Sequence, residues 1–386
     1  MSGPPPVRLR VQLASFSVIR TVINTGFRMV YPFLPVIARG MGIDLQAAAL
    51  ALTARATLGL ASPVIGSVAD GRGRRAVMRF SLLLFAAGCL LIALWPSYIT
   101  FIVGLLIVAS GKILFDPSMQ AYLGDRIDYS RRALAIAVTE FGWSGAFLIG
   151  VPLAGWLIAR KGWASPFGVL AGLGLLAWVL LGRILPRDPA RPSGGPSWRQ
   201  GLLSVLAHRP ALGGLAVGLL ISTGNDLVNV VFGAWLEVSF GLQVVALGAA
   251  SAVIGIAELG GEGLVAALAD RLGKRRAVGA GIILNSLACL ALPVLGRWLP
   301  GALIGLFLVY VTFEFTLVSA IPMMSELVPN ARATMMGSNV GAHSAGRALG
   351  ALFAPVLFQF GLPANVAVAA GLDLVALVVL VSVVKE

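Results

Sequence analysis

The chain has 386 residues, of which 58% are hydrophobic and only 12% are charged. Soluble domains carry roughly 25% charged residues, so this composition excludes an ordinary water-soluble globule and favours a protein whose surface faces lipid. The net charge of +13 would suggest nucleic acid as a partner of a soluble protein. Here the basic residues lie in short clusters between apolar runs, which a membrane-topology signal explains better.

Apolar runs long enough to cross the roughly 30 Å of membrane hydrocarbon recur along the chain, and each predicts one α-helix. The first run is too long for a signal-peptide core and lacks a clear cleavage site, so we expect it to be retained. We predict twelve spans, at residues 11–38, 46–69, 77–95, 98–121, 133–159, 164–185, 211–238, 242–268, 277–296, 300–323, 334–359 and 363–384.

One long polar stretch separates the sixth span from the seventh. It predicts an N-terminal six-helix bundle (residues 1–185), a cytoplasmic linker (residues 186–210) and a C-terminal six-helix bundle (residues 211–386). With the N-terminus inside, twenty of the 29 Lys and Arg residues fall in cytoplasmic segments and four in outer ones. The positive-inside rule therefore predicts a multi-pass protein of the plasma (inner) membrane with both termini in the cytoplasm.

The two predicted bundles contain matching segments. The sequence Ile23-Asn-Thr-Gly26 in the first span echoes Ile221-Ser-Thr-Gly224 in the seventh. Two basic loops, which follow the second and the eighth spans, lie 200 residues apart: Gly66-Ser-Val-Ala-Asp70-Gly-Arg-Gly73-Arg74-Arg75 and Ala266-Ala-Leu-Ala-Asp270-Arg-Leu-Gly273-Lys274-Arg275-Arg276. Parallel repeats of six helices are one way in which secondary transporters are built.

These loops resemble the signature cytoplasmic loop of the major facilitator superfamily. Pro32-Phe-Leu-Pro35 and Gly150-Val-Pro152-Leu-Ala-Gly155 are similar to motifs of its drug/proton-exporting branch. The second motif has one residue between Gly and Pro, and Lys112 stands where that branch usually carries arginine. The resemblance covers the whole chain. It implies an all-α membrane fold of twelve helices in two pseudo-symmetric six-helix bundles, and a secondary transporter.

The resemblance also implies a conformational latch at the two loops, with a plain positive-inside loop as the alternative. The latch residues would be Gly66, Asp70, Gly73, Arg74, Arg75, Asp270, Gly273, Arg275 and Arg276.

Charged residues inside spans need an explanation, because each costs roughly 2.5–3.5 kcal/mol on insertion scales. In the first span a polar stripe faces one way, and its members are Arg20, Asn24, Arg28 and Tyr31. Aligning the two repeats places Arg28 opposite Asp226. We therefore predict a cavity pair of Arg28 and Asp226, flanked by Asn225 and Asn229; the alternative is a static bridge that ties the halves together.

Asp226 and Glu258 are the first-choice proton carriers. Glu258 shares a helix face with Glu262, so one of them carries a proton or each has a cationic partner. The alternative is that Glu262 lies near the cytoplasmic end of the span, where water reaches it. Glu140 and Glu314 are lone acids with either a structural or a functional role.

Two further groups of polar residues lie inside spans. The eleventh span carries a stripe of Asn339, His343 and Arg347, in which the histidine either relays protons or is a satisfied hydrogen-bonding residue. In the fourth span Lys112 either pairs with Asp116, four residues later, or contacts substrate. With Arg55 it adds to an unusually basic N-terminal half.

We therefore predict proton-coupled efflux of a small amphiphilic compound by alternating access. One alternative keeps the fold and transports an anionic solute, a lysolipid or a lipid; another, from a different class, is a transport-dead receptor. The sequence has no Walker loop and only two distant histidines, so we expect no enzyme activity, no cofactor and no metal. The expected partners are membrane lipids, protons and a small-molecule substrate, with no nucleic acid, and the expected state is a monomer.

Overall fold

The computed structural model describes residues 7–62, 73–127, 138–186 and 198–384, and all regular structure within these ranges is helical. The N-terminal half contains six helical rods. They are α1 (two segments, Val7–Arg28 and Val30–Met41), α2 (Leu45–Thr57, continued by the 3₁₀ turn Leu58–Ala61), α3 (Arg74–Leu94), α4 (Tyr98–Arg126), α5 (Val138–Lys161) and α6 (Ser165–Ile184).

The C-terminal half contains the other six. They are α7 (two segments, Arg209–Asn229 and Phe232–Phe240), α8 (Val244–Leu272), α9 (Lys274–Leu295), α10 (Leu299–Leu327), α11 (Arg332–Phe358) and α12 (Leu362–Ser382). Within the described part of the chain, nine rods are long and apolar enough to cross a membrane, and the shorter Leu45–Ala61 is also apolar. The prediction of twelve helices is confirmed.

Three pairs of glycines show that the two halves repeat the same bends. Each of the six has positive φ, a conformation that costs a residue with a Cβ atom far more than glycine. Gly42 and Gly241 end α1 and α7 with φ of 69° and 65°, and Gly73 and Gly273 precede α3 and α9 with φ of 82° each. The third pair, at φ of 85° and 84°, is Gly162 before α6 and Gly361 before α12.

Both α1 and α7 are interrupted part of the way along. In α1 the break lies at Met29, where Pro32 cannot donate a hydrogen bond to the carbonyl of Arg28 and its ring crowds that carbonyl. In α7 the break lies at Val230 and Val231, with no proline nearby. The broken helices meet there, because a Cβ atom on Gly233 would overlap the backbone of Pro32.

The α5 rod contains a π turn over Ala146–Gly150, immediately before Val151 and Pro152. A π turn holds more residues than an α turn, so it accommodates the extra residue that separates Gly150 from Pro152 in the sequence motif. Of the α5 glycines, Gly142 and Gly150 pack against α1 of the same half, and Gly155 packs against both Phe33 of α1 and Val244 of α8.

In the described residues, most of the contact between the two halves comes from three helix pairs: α1 with α7, α2 with α11, and α5 with α8. We call the face that carries the α1–α2 and α7–α8 loops the distal face, because it is opposite both termini. Near the distal face, Arg39 of α1 forms a two-pronged ion pair with Glu237 of α7, with N–O distances of 3.1 and 2.7 Å. Gln46 of α2 donates to the carbonyl of Leu352 in α11 at 3.1 Å. With the α5–α8 contact at Gly155, these interactions close the distal face.

A helix at Trp198–Ala207, which the sequence did not predict, lies in the linker between the two halves. Its buried side packs on α11, where a Cβ atom on Gly201 would overlap Thr334, and Val205 is fully buried. The linker therefore contains a folded element docked on the C-terminal half. The division of the chain at residues 185 and 210 stays a prediction.

Candidate functional site

Four charged residues of the N-terminal half form one network at the centre of that half. Arg20 lies between Asp116, at 3.3 Å, and Glu140, at 2.8 Å. Lys112 lies 2.6 Å from Asp116 and also donates to Asn24 at 2.6 Å. The local pair of Lys112 and Asp116 is thus present, and Glu140 has a cationic partner rather than standing alone. These charges balance one another inside one half.

The polar stripe of α1 faces α5. Arg20 donates to the carbonyl of Thr139 at 2.9 Å, and Asn24 donates to the carbonyl of Gly142 at 3.1 Å. Arg28 donates to the carbonyl of Trp143 at 3.0 Å. The stripe therefore ties α1 to α5 within one half, and only its last residues reach the other half.

The carboxylate that pairs with Arg28 belongs to Glu258 of α8, so the predicted pair of Arg28 and Asp226 is wrong in this structure. Arg28 Nη1 lies 2.8 Å from Glu258 Oε2, and Arg28 Nη2 makes a second, parallel contact with Oε1. Both residues are buried, with 5% and 3% of their surface exposed. Trp143 donates to Glu258 Oε1 at 3.2 Å, and the guanidinium lies 4.0 Å from the ring centres of Trp143 and Phe147.

Asp226 of α7 is buried at the place where α1 and α7 face each other. Its carboxylate accepts from the hydroxyl of Tyr31 in α1 at 3.4 Å and from the amide of Asn229 at 3.3 Å. Asn229 in turn accepts from the hydroxyl of Tyr310 at 2.7 Å. Asn225 lies nearby on α7, half-buried, and its side-chain oxygen has no hydrogen-bond partner among the described residues. Asp226 thus joins both halves through Tyr31, although not through Arg28.

Three glutamates form what we call the acidic wall, on α8 and α10: Glu258, Glu262 and Glu314. The charges of Glu258 and Glu262 both act electrostatically on Glu314. Glu314 is 6% exposed and makes no hydrogen bond or ion pair with the described residues. A Cβ atom on Gly261 would lie 2.7 Å from Cβ of Glu314, which shows how closely α8 and α10 pack here. Of the three glutamates, Glu258 has the cationic partner.

Two arginines form what we call the basic wall, Arg55 on α2 and Arg347 on α11. Neither has a carboxylate within ion-pair distance in the described ranges. His343, one turn before Arg347, is buried, and its Nδ1 lies 2.7 Å from the hydroxyl of Ser222. That contact gives His343 a hydrogen-bonding role, while a role as a proton relay stays a prediction. Asn339, which belongs to the same α11 stripe as His343, is also buried and lies beside Gly218 of α7.

The latch residues are described only in part. Gly66 and Asp70 lie outside the described residues, and Asp270 is described only as part of the α8 backbone. Arg75 donates to the carbonyl of Gly182 in α6, and Arg275 donates to the carbonyl of Val381 in α12 at 2.6 Å. The two arginines therefore make equivalent contacts in the two repeats, each near the end of the sixth helix of its half. Arg74 and Arg276 lie in the first turns of α3 and α9.

Sequence reasoning missed three residues of the site. Trp143 and Tyr310 carry their donors on aromatic side chains within apolar runs, where nothing in a single sequence separates them from lipid-facing residues. Ser222 could have been found, because it is part of the repeated segment Ile221–Gly224 and occupies the position equivalent to Asn24 in the first repeat. In the described part of the chain, no group of His, Cys, Asp and Glu could hold a metal ion.

Comparison with known proteins identifies the family. Residues 16–261 and 214–386 match the model of the Major Facilitator Superfamily. The chain is 28% identical to the inner membrane transport protein YdhP of Escherichia coli (strain K12), over 88% of each protein. It is 24% identical to YceJ of Bacillus subtilis (strain 168), an uncharacterised transporter of the same type, over 89% of this chain and 88% of that one.

Solved structures show the same fold. A bacterial homologue of the human lysosomal transporter Spinster, in an inward-facing and unoccupied conformation, superposes with a TM-score of 0.75. The superposition covers 98% of this chain and 96% of that one at 14% identity, which supports the fold alone. Family match, apolar helices and duplicated architecture agree, and the chain belongs to the major facilitator superfamily of membrane transporters.

Proposed function

We propose that the protein is a secondary active transporter that exchanges protons for a small amphiphilic compound and exports it across the plasma (inner) membrane by alternating access. The observation that supports this most is the buried, two-pronged pair of Arg28 and Glu258. It is the ion pair that joins the two halves deep in the described part of the bundle, and it connects a titratable group directly to the contact between them.

The pair provides a way for a proton to change the conformation. When Glu258 takes up a proton, its carboxylate becomes a neutral acid and the attraction to Arg28 across the halves is lost. Arg28 still has the carbonyl of Trp143 and two aromatic rings in its own half, so it does not need to follow Glu258. Protonation therefore loosens the distal closure while each half remains intact.

Asp226 and Glu314 are the other carboxyl groups that fit such a cycle. Asp226 contacts Tyr31 of the opposite half, so a change in its charge also acts on the contact between halves. Glu314 is buried beside Glu258 and has no cationic partner among the described residues, which suits a group that holds a proton in transit.

An amphiphilic cargo is supported by the aromatic surface beside these charges. Trp143 and Phe147 flank Arg28, and Phe27 and Tyr31 flank Arg55. Rings next to charged groups are suited to a molecule that has both an apolar body and a polar end. The name of the relative in Escherichia coli, an inner membrane transport protein, supports the proposed location.

The test begins with a thermal-shift screen of cations, anions and lysolipids at two pH values, because a bound compound stabilises the folded protein by mass action. A compound found in this way is then followed in inverted proteoliposomes. We expect Glu258→Gln to abolish transport driven by a pH gradient while counterflow exchange continues, because exchange needs the conformational change but no net proton movement. We expect the same of Asp226→Asn.

Glu237→Gln is the matched control, since that glutamate also pairs with an arginine across the halves but lies at the distal surface. It should retain transport driven by the pH gradient. If Glu258→Gln also retained that transport, Glu258 would not be a proton carrier and the proposal would fail.

A further inference from the structure

The charged residues of the centre divide into those with a partner and those without. The sequence makes the N-terminal half unusually basic, but Arg20, Arg28 and Lys112 each form an ion pair. Arg55 and Arg347, the basic wall, form none within the described residues. These two cations are therefore the ones left for a group that comes from outside the chain.

Arg55 is held firmly and still has an unused donor. Its side chain is 2% exposed, stacks 3.7 Å from the ring centre of Phe27, and donates to the carbonyl of Phe27 at 2.6 Å. Its Nε atom is buried and has no hydrogen-bond partner among the described residues. Leaving such a charge-bearing donor without an acceptor costs free energy unless an acceptor arrives from elsewhere.

Arg347 approaches the same place from the other half. A Cβ atom on Gly59 of α2 would overlap the side chain of Ser344 in α11, so these two residues mark one contact between the helices. Arg55 lies one turn from Gly59, and Arg347 lies one turn from Ser344, in both cases towards the distal face. The two arginines therefore lie at the same depth. Arg347 is half-buried, so part of its surface is accessible.

The electrostatic balance at this place favours an anion. The positive charges of Arg55 and Arg347 act on each other, and both act on Asp226. Asp226 is already held by Tyr31 and Asn229, so one positive charge remains in excess when Asp226 is ionised and Glu314 holds a proton, as in the proposed cycle. Arg347 also acts on Glu314, which lies with the acidic wall. Two like charges facing each other in a low dielectric repel, and an anion between them removes that cost.

We propose that the transported compound carries an anionic group, such as a carboxylate or a phosphate, that binds between Arg55 of α2 and Arg347 of α11. This inference rests on the proposed transport function and names the chemical class of the cargo. The rings of Phe27 and Tyr31 beside Arg55 receive its apolar part. Because α2 and α11 belong to different halves, one anion contacts both halves at once. A cargo that draws the two halves together must make such a contact.

The test uses three ligands that share one ring system and differ in charge: indole-3-acetate, indole-3-acetamide and tryptamine. Their binding to the full-length protein in nanodiscs is measured by calorimetry, without a proton gradient. We expect the acetate to bind more tightly than the other two. Arg347→Gln should reduce that preference about tenfold, the effect of one lost charge-assisted hydrogen bond, and Arg347→Lys should restore part of it. Asp226→Asn should strengthen binding of the acetate, because it removes the competing negative charge.

Arg160→Gln is the matched control, because Arg160 is exposed at the distal end of α5 and should leave the preference unchanged. Displacement of the acetate by lysophosphatidylglycerol and not by lysophosphatidylcholine would assign the anionic group to a lysolipid. No displacement by either would assign it to a soluble anion. Both of these outcomes support the inference.

The inference is overturned if tryptamine or the acetamide binds as tightly as the acetate, if none of the three binds, or if Arg347→Gln leaves the preference unchanged in a well-folded protein. In the last case the basic wall would serve only to balance Asp226 and Glu314. Proton-coupled transport of tryptamine would overturn this inference and leave the proposed transport function in place. If proton coupling were absent while binding of the acetate still depended on Arg347, the proposed transport function would fail and this inference would stand.

Discussion

Replacing Glu258 by glutamine tests whether the pair with Arg28 holds the distal face closed. Removing one partner of a buried ion pair costs about 3–5 kcal/mol, because the other charge remains buried. Arg28 keeps the carbonyl of Trp143 and two ring contacts at 4.0 Å. Such ring contacts with a desolvated cation are worth up to about 2 kcal/mol. The net loss is about 2 kcal/mol, so we expect the ratio of closed to open molecules to fall roughly thirty-fold.

The assay measures distances between spin labels on Lys161→Cys and Arg297→Cys, two exposed distal positions, one in each half. In the parent protein the short distance of the closed face should dominate, and Glu258→Gln should shift the distribution to longer distances. The double variant Arg28→Met with Glu258→Met should recover much of the short distance, because no unpaired charge remains buried. An unchanged distribution in Glu258→Gln would refute the argument, since the pair would then contribute nothing to closure.

Three smaller tests follow from the same structure. Arg39→Gln should lower the ratio of closed to open molecules by about fivefold or less, because its pair with Glu237 is partly exposed, with side-chain exposures of 58% and 27%. The effect should vanish at about 1 M salt, which screens exposed charges. Gly233→Leu should block closure of the distal face and counterflow exchange, because the new side chain would overlap the backbone of α1. Gly263→Leu is the control and should block neither, because no atom lies within 4 Å of a Cβ atom at that position. Asn365→Ala should lower the free energy of unfolding by about 2 kcal/mol, measured by thermal unfolding, because its amide donates to buried carbonyls of α7 and α11 at 2.8 and 2.9 Å; an unchanged melting temperature would contradict that.

Much of the architecture could be read from the sequence because its signals are local. A run of apolar residues predicts one helix whatever surrounds it, and the repeated basic loops located both halves. The pair of Lys112 and Asp116 was predictable for the same reason, since residues four apart on one helix are neighbours. The polar stripe of α1 was also predictable from helical periodicity alone.

The partners of that stripe could not be predicted, because they depend on how separate helices are placed. Arg28 and Glu258 are 230 residues apart and belong to different halves. Alignment of the repeats related Arg28 to Asp226, but positions related by an approximate twofold axis share a depth without having to touch. Arg28 reaches Glu258 because α5 and α8 pack closely beside it: a Cβ atom on Gly255 would lie 2.9 Å from Cγ of Leu148, an approach that periodicity does not reveal.

The breaks in α1 and α7 have a mechanical consequence for the distal face. Beyond each break lies a short rod, Val30–Met41 of 12 residues and Phe232–Phe240 of 9 residues. At roughly 1.5 Å per residue, these rods are about 18 and 14 Å long. Both rods carry the contacts that seal the α1–α7 side, from Gly233 to the outermost ion pair of Arg39 and Glu237. In the proposed alternating access, these two rods can therefore swing apart before the packed bodies of the halves rotate, so the outer seal and the deep pair at Glu258 can open as separate steps.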